Sequence, residues 1–173
     1  MSSRTFFWVA SLLLFSWITQ AQDVVLKDAQ IRFEYVSKGT KGTLGDFQST
    51  SKIDLERPEA SVFAGSVATE TLDTNNGLRN WSLKSRKYFH AKGYPRISFR
   101  STEVKADGNQ WVVDGLLTIK GIEKPLQFTF TRSGDRLLGK AELYSSDFDI
   151  NIKKKREDNR VTIALEFTFG PKP

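Results

Sequence analysis

The chain has 173 residues, 39% of them hydrophobic and 27% charged, which is the balance of an ordinary globular protein and a length that suits one domain around one core. It contains no cysteine, which excludes a disulfide scaffold, a thiol nucleophile and thiolate metal ligation together. The net charge of +6 favours acidic partners such as phosphate head groups or an anionic membrane surface, touched transiently, while the interspersed acidic residues and the lack of a binding motif argue against nucleic acid.

Residues 1–21 read as a signal peptide. Arg4 is the only charge before Asp23, residues 6–18 are apolar but short for a membrane span, and Thr19 and Ala21 are the small residues a signal peptidase reads. The protein is therefore expected to be exported, periplasmic or secreted, with residues 22–173 forming its single domain.

Beyond that point the dominant period is two. Residues 31–35 alternate apolar and polar, and residues 47–55, 62–69, 97–100, 111–119, 126–131, 137–143 and 161–169 complete about eight predicted strands. The last is the clearest, because its odd positions from Val161 to Phe169 are all large and apolar. Residues 106–109 and 133–135 are turns rich in Gly, Asn and Asp, and residues 120–125 separate two further strands. Only residues 73–95 break the alternation. There Leu78, Trp81 and Leu83, then Tyr88 and Phe89, recur at roughly helical spacing, which predicts one or two short helices capped by Asn75 or Asn76 and stopped by Gly93 and Pro95. The order of strands predicts antiparallel neighbours, although period alone leaves sandwich and closed barrel open.

Residues 83–102, LKSRKYFHAKGYPRISFRST, resemble the YceI family pattern L-x-S-x-x-F-F-D-x-x-x-Y-P-x-I-x-F-x-S-T, and residues 115–125, GLLTIKGIEKP, resemble its G-x-L-T-I-x-G-V-T-K-P. The resemblance implies an all-β, eight-stranded antiparallel lipocalin-like barrel with a short helical insertion, exported and binding amphiphiles with long isoprenoid tails. Two departures stand out. The family's Arg-Asp-x-His-Leu is here Arg79-Asn80-Trp81-Ser82-Leu83, and its Arg-x-Asp-Phe-Gly is Ser145-Ser146-Asp147-Phe148-Asp149.

An eight-stranded barrel has an interior that is either filled by side chains or admits one slim ligand. On the second alternative the lumen is expected to be lined on the strands by Phe33, Tyr35, Phe99, Trp111, Leu117, Phe128, Phe130 and Phe167. Trp81, Leu83, Phe89 and Phe148 are expected to add to it from the connections, with Arg79 and Lys84 beside the insertion as head-group residues. The ligand would be a polyisoprenoid or an isoprenoid quinone, with no other cofactor. Residues for catalysis are scarce: His90 is the only histidine, no Gly-x-Ser-x-Gly or Gly-Lys-Ser motif is present, and no pair of histidines offers a metal site. The sequence thus reads as a lipid-binding protein and not an enzyme. The rival reading is a secreted stress or interaction protein whose packed barrel holds no ligand.

Overall fold

The computed structural model describes residues 24–171. The predicted signal peptide and its cleavage point lie outside the described residues. Eight strands follow one another as β1 (Val24–Tyr35), β2 (Thr40–Ser49), β3 (Ala64–Asp73), β4 (Arg96–Asp107), β5 (Gln110–Ile119), β6 (Ile122–Ser133), β7 (Arg136–Tyr144) and β8 (Arg160–Pro171), with the helix α1 (Gly77–Lys84) between β3 and β4. Each strand pairs antiparallel with its chain neighbour. Pairing of β8 back onto β1, from Val24 opposite Pro171 to Tyr35 opposite Val161, closes the sheet and decides for the barrel over the sandwich.

Every period-two segment contributes to a strand, most of the strands run beyond the segment that announced them, and three boundaries are instructive. β2 runs from Thr40 to Ser49, and residues 50–55 belong instead to the connection before β3, within which Lys52 and Val62 form an isolated bridge and from which the Thr50 N–H donates to the Ala64 carbonyl of β3 at 2.9 Å. Gly42 and Gly45 concealed the first half of β2, because glycine weakens a strand pattern. Here Gly42 lies directly opposite Phe33, whose ring occupies the space a side chain at that position would need. β6 reaches back through Pro125 to Ile122, so the turn before it shrinks to Lys120 and Gly121, both with positive φ (53° and 75°) as a two-residue hairpin requires. The helix stops at Ser85, well before Gly93 and Pro95. Asn76 caps it by accepting the Arg79 N–H, while hydrogen-bonded turns carry the chain onward.

Alternation places Trp111, Val113, Leu117 and Ile119 of β5, Phe128 and Phe130 of β6, and Phe167 and Phe169 of β8 in one buried cluster. The up-and-down order also sorts the connections. The β1–β2 turn, the α1 connection, the β5–β6 turn and the β7–β8 connection crown one end, here called the helical end. The β2–β3 connection and the β4–β5 and β6–β7 hairpins crown the other.

Candidate ligand cavity

Between its strands the barrel encloses an apolar cavity of about 630 Å³. At the helical end its wall includes the exposed residues Lys38, Leu78 and Arg79, which mark the mouth. Aliphatic side chains from several strands, including Ile31, Val67, Ile97, Ile163 and Leu165, line the middle. Toward the hairpin end the rings of Phe47 and Phe167 stack at 5.4 Å, Phe167 follows Phe130 at 6.0 Å, and Phe130 stacks on Phe63 at 5.1 Å. Offset and edge-on ring pairs at these spacings are mutually favourable, so the row forms a cohesive floor. Beyond it lies a second hollow of about 400 Å³, which shares Phe47, Phe63 and Phe167 with the first.

Space for the lumen comes partly from glycine. Gly139 faces Phe130 directly across β6 and β7, and a methyl group there would run into that ring, so the phenyl group lies close to the sheet and leaves the axis open.

Of the residues expected in the lumen, Phe33, Tyr35, Leu83, Phe89, Phe99, Leu117, Phe128, Phe130 and Phe167 all contribute to the cavity wall. Trp111 and Phe148 do not. Both are fully buried in the packed core behind the lining, Trp111 edge-on to the wall residue Phe63 at 6.3 Å. Trp81 stands corrected most clearly, because α1 turns it outward and leaves it 73% exposed. Lys84 is half-buried at the end of α1 and takes no part in the wall; its charge acts on Asp73, whose carboxyl is held below the usual range chiefly by the Asn75 N–H and the Asn80 amide. Apart from Leu83 and Leu117, the aliphatic part of the lining was not singled out as such from the sequence, nor were the aromatic Phe47, Phe63 and Tyr88. The parity of β4 and β8 would have found Ile97, Ile163 and Leu165, whereas Ile150 and Ile152 lie in the irregular β7–β8 connection and leave no periodic signal.

Arg79 is fixed at the mouth. Its Nε donates to Thr74 Oγ1 at 2.8 Å and one Nη2 hydrogen to the Thr74 carbonyl at 2.7 Å, while Nη1 donates to no group among the described residues. Asn80, where the family pattern has an acid, accepts from the Thr74 N–H and hydroxyl and donates to Asp73, and so holds Thr74, the partner of Arg79, in place. Ser82 and Ser145, replacing a histidine and an arginine, both line the cavity, which leaves Arg79 and the exposed Lys38 as the cationic groups of its wall. Asp149 takes the place of a glycine yet keeps the left-handed backbone (φ 56°), and Lys120 Nζ donates to both its carbonyl (3.0 Å) and its carboxylate (2.9 Å).

A closed antiparallel barrel with an apolar interior, an aromatic floor and a polar mouth defines a lipocalin-like barrel. The chain belongs to the YceI family, whose YceI-like domain matches residues 23–169. It is 30% identical to a UPF0312 protein of Photorhabdus laumondii and 34% identical to one of Pectobacterium atrosepticum, in each case over 72% of this chain and 71% of the relative. Among solved structures it is similar to Burkholderia cenocepacia BcnA (TM-score 0.71, 21% identity, 80% of this chain and 94% of the other). It is also similar to a polyisoprenoid binding domain from Saccharophagus degradans (TM-score 0.60, 12% identity, 87% and 99%).

Proposed function

We propose that this protein binds a long-chain amphiphile, a polyisoprenoid or an isoprenoid quinone, with its tail in the barrel and its head at the mouth, and stores or carries it outside the cytoplasm. The observation that carries this reading is the cavity itself. Its volume of about 630 Å³ falls within the usual range of ligand sites, and an apolar space of that size is costly to leave in a packed core. At roughly 30 Å³ per water-sized group, it seats on the order of twenty heavy atoms, or about four isoprene units. Burying such a tail at ~0.8 kcal/mol per CH₂ supplies micromolar binding after ordering costs. The Saccharophagus degradans domain supports the ligand class, and the apolar N-terminal segment ending at Ala21 supports export.

Organic-solvent extraction of the purified protein followed by mass spectrometry tests the reading, with an isoprenoid lipid expected in roughly molar proportion. A packed barrel acting through its outer surface would release none. N-terminal sequencing of exported protein is expected to start within a few residues of Gln22, and a mature chain retaining Met1 would contradict export by cleavage.

A further inference from the structure

Leu78 and Trp81, one helical turn apart on α1, are 79% and 73% exposed, and no residue of α1 is buried. Side chains three positions apart share a helix face, so the two form one apolar patch on the outside of the barrel. Around them residues 74–95 carry Arg79, Lys84, Arg86, Lys87 and Lys92 and not one acidic residue, and Arg86, Lys87 and Lys92 are exposed. Exposed Lys38 in the β1–β2 turn adds to the same end. The β7–β8 connection at that end is balanced, with Lys153, Lys154, Lys155 and Arg156 against Asp147, Asp149, Glu157 and Asp158, whereas the hairpin end leans acidic: its β2–β3 connection sets Asp54, Glu56 and Glu59 against Lys52 and Arg57, and the β6–β7 turn adds Asp135.

We propose that α1 and the connection after it dock this protein onto an anionic phospholipid membrane, with Leu78 and Trp81 entering the interfacial layer and Arg86, Lys87 and Lys92 against the lipid phosphates. An exposed Trp and Leu flanked by basic residues match what a membrane surface offers, because the indole prefers the head-group boundary and each nearby cation is drawn to anionic lipid. The unequal charge of the two ends turns the helical end toward such a surface before contact. Leu78 also belongs to the cavity wall, so docking sets the mouth against the bilayer and an amphiphile passes between them without crossing open water. The proposal rests on the amphiphile reading of the cavity for its purpose, but docking is measured independently of it.

The test is sedimentation of the full chain with vesicles of phosphatidylcholine alone and of phosphatidylcholine with about one third phosphatidylglycerol. Trp81→Ser and the double variant Arg86→Glu/Lys87→Glu are run beside the parent, with melting curves to confirm that each folds. Binding is expected on the anionic vesicles only, to fall roughly tenfold or more in the charge-reversed variant, and to fall several-fold in Trp81→Ser. Amphiphile recovered by extraction is expected to be equal in all three proteins. Equal binding to both vesicle types, or parent-like binding by either variant, overturns the proposal. A dimer in vesicle-free solution that Trp81→Ser dissociates would assign the patch to a second copy and overturn it as well. Absence of any extractable amphiphile would count against the cavity reading and leave the docking result to stand alone.

Discussion

The phenolic hydroxyl of Tyr35, at the end of β1, donates to Oδ1 of Asn159, the residue before β8, at 3.1 Å. That oxygen also accepts the N–H groups of Ile152 (3.0 Å) and Lys153 (2.9 Å), while Nδ2 donates to the carbonyls of Lys153 (2.9 Å) and Lys155 (2.8 Å). One fully buried amide thus folds the basic run of residues 153–156 back on itself and holds Ile152 in the cavity wall. Asn159→Ala strands several of these groups and is expected to cost roughly 3 kcal/mol or more. Tyr35→Phe removes one donor from a still-satisfied oxygen and is expected to cost ~1 kcal/mol. Denaturant unfolding of both variants checks the order; equal losses would contradict it.

Arg79 is expected to select the head group. A guanidinium already anchored through Nε and Nη2 still has donors left for phosphate or quinone oxygens. Arg79→Ala is expected to weaken binding of a phosphorylated isoprenoid by ~1–3 kcal/mol while leaving that of the uncharged isoprenoid alcohol nearly unchanged. Titration of both ligands against both proteins decides. Equal losses would mean that Arg79 acts through the fold, and no loss would place the head group elsewhere.

Phe167 separates the two hollows. Phe167→Ala is expected to lower stability by ~3–5 kcal/mol, toward the lower figure because the ring, stacked between Phe47 and Phe130, already borders both hollows. It is also expected to join the hollows and shift retention toward longer tails. Competition among isoprenoids of graded length reads this out, and an unchanged length preference in a folded variant would contradict the assignment of Phe167 as the floor.

Acid is expected to release one strap of the β7–β8 connection. Asp147 accepts Arg156 Nε at 2.8 Å and Nη2 at 2.6 Å, and the same guanidinium lies 3.8 Å over the Tyr144 ring. The hydrogen bonds from Arg156 hold the Asp147 carboxyl below its ordinary range. A lowered folded-state value contributes stability above the ordinary carboxylate range that is lost as pH falls through the lowered value. Asp147→Asn is therefore expected to melt slightly below the parent at neutral pH, by a small margin because the pair is partly exposed. The two curves are expected to converge in strong acid, and a gap independent of pH would contradict the sign.

The strands were legible wherever alternation was unbroken, as in β5 and β8, because one face of each meets the lumen and the other meets water. The first half of β2 was hidden because Gly42 serves the ring of Phe33 and so carries no parity of its own. Much of the aromatic wall could be read from β1, β4, β6 and β8, but not Phe47 of the glycine-broken β2 or Phe63 in the connection before β3. Trp81 could not be placed, since helical spacing names a face without saying whether that face meets the barrel or solvent. Asn159 gave no signal at all. Its five hydrogen bonds depend on a connection whose path the sequence does not encode in any period.

Occupancy of the lumen is tested most directly by isotope-filtered nuclear Overhauser spectra of labelled protein with an unlabelled isoprenoid alcohol of about four units, the length the cavity seats. The tail is expected to give contacts to Phe99, Leu117, Phe128 and Ile163, all of which line the 630 Å³ cavity, and none to the outward-facing Trp81. Contacts confined to the outer surface, or none at saturating ligand, would contradict the account.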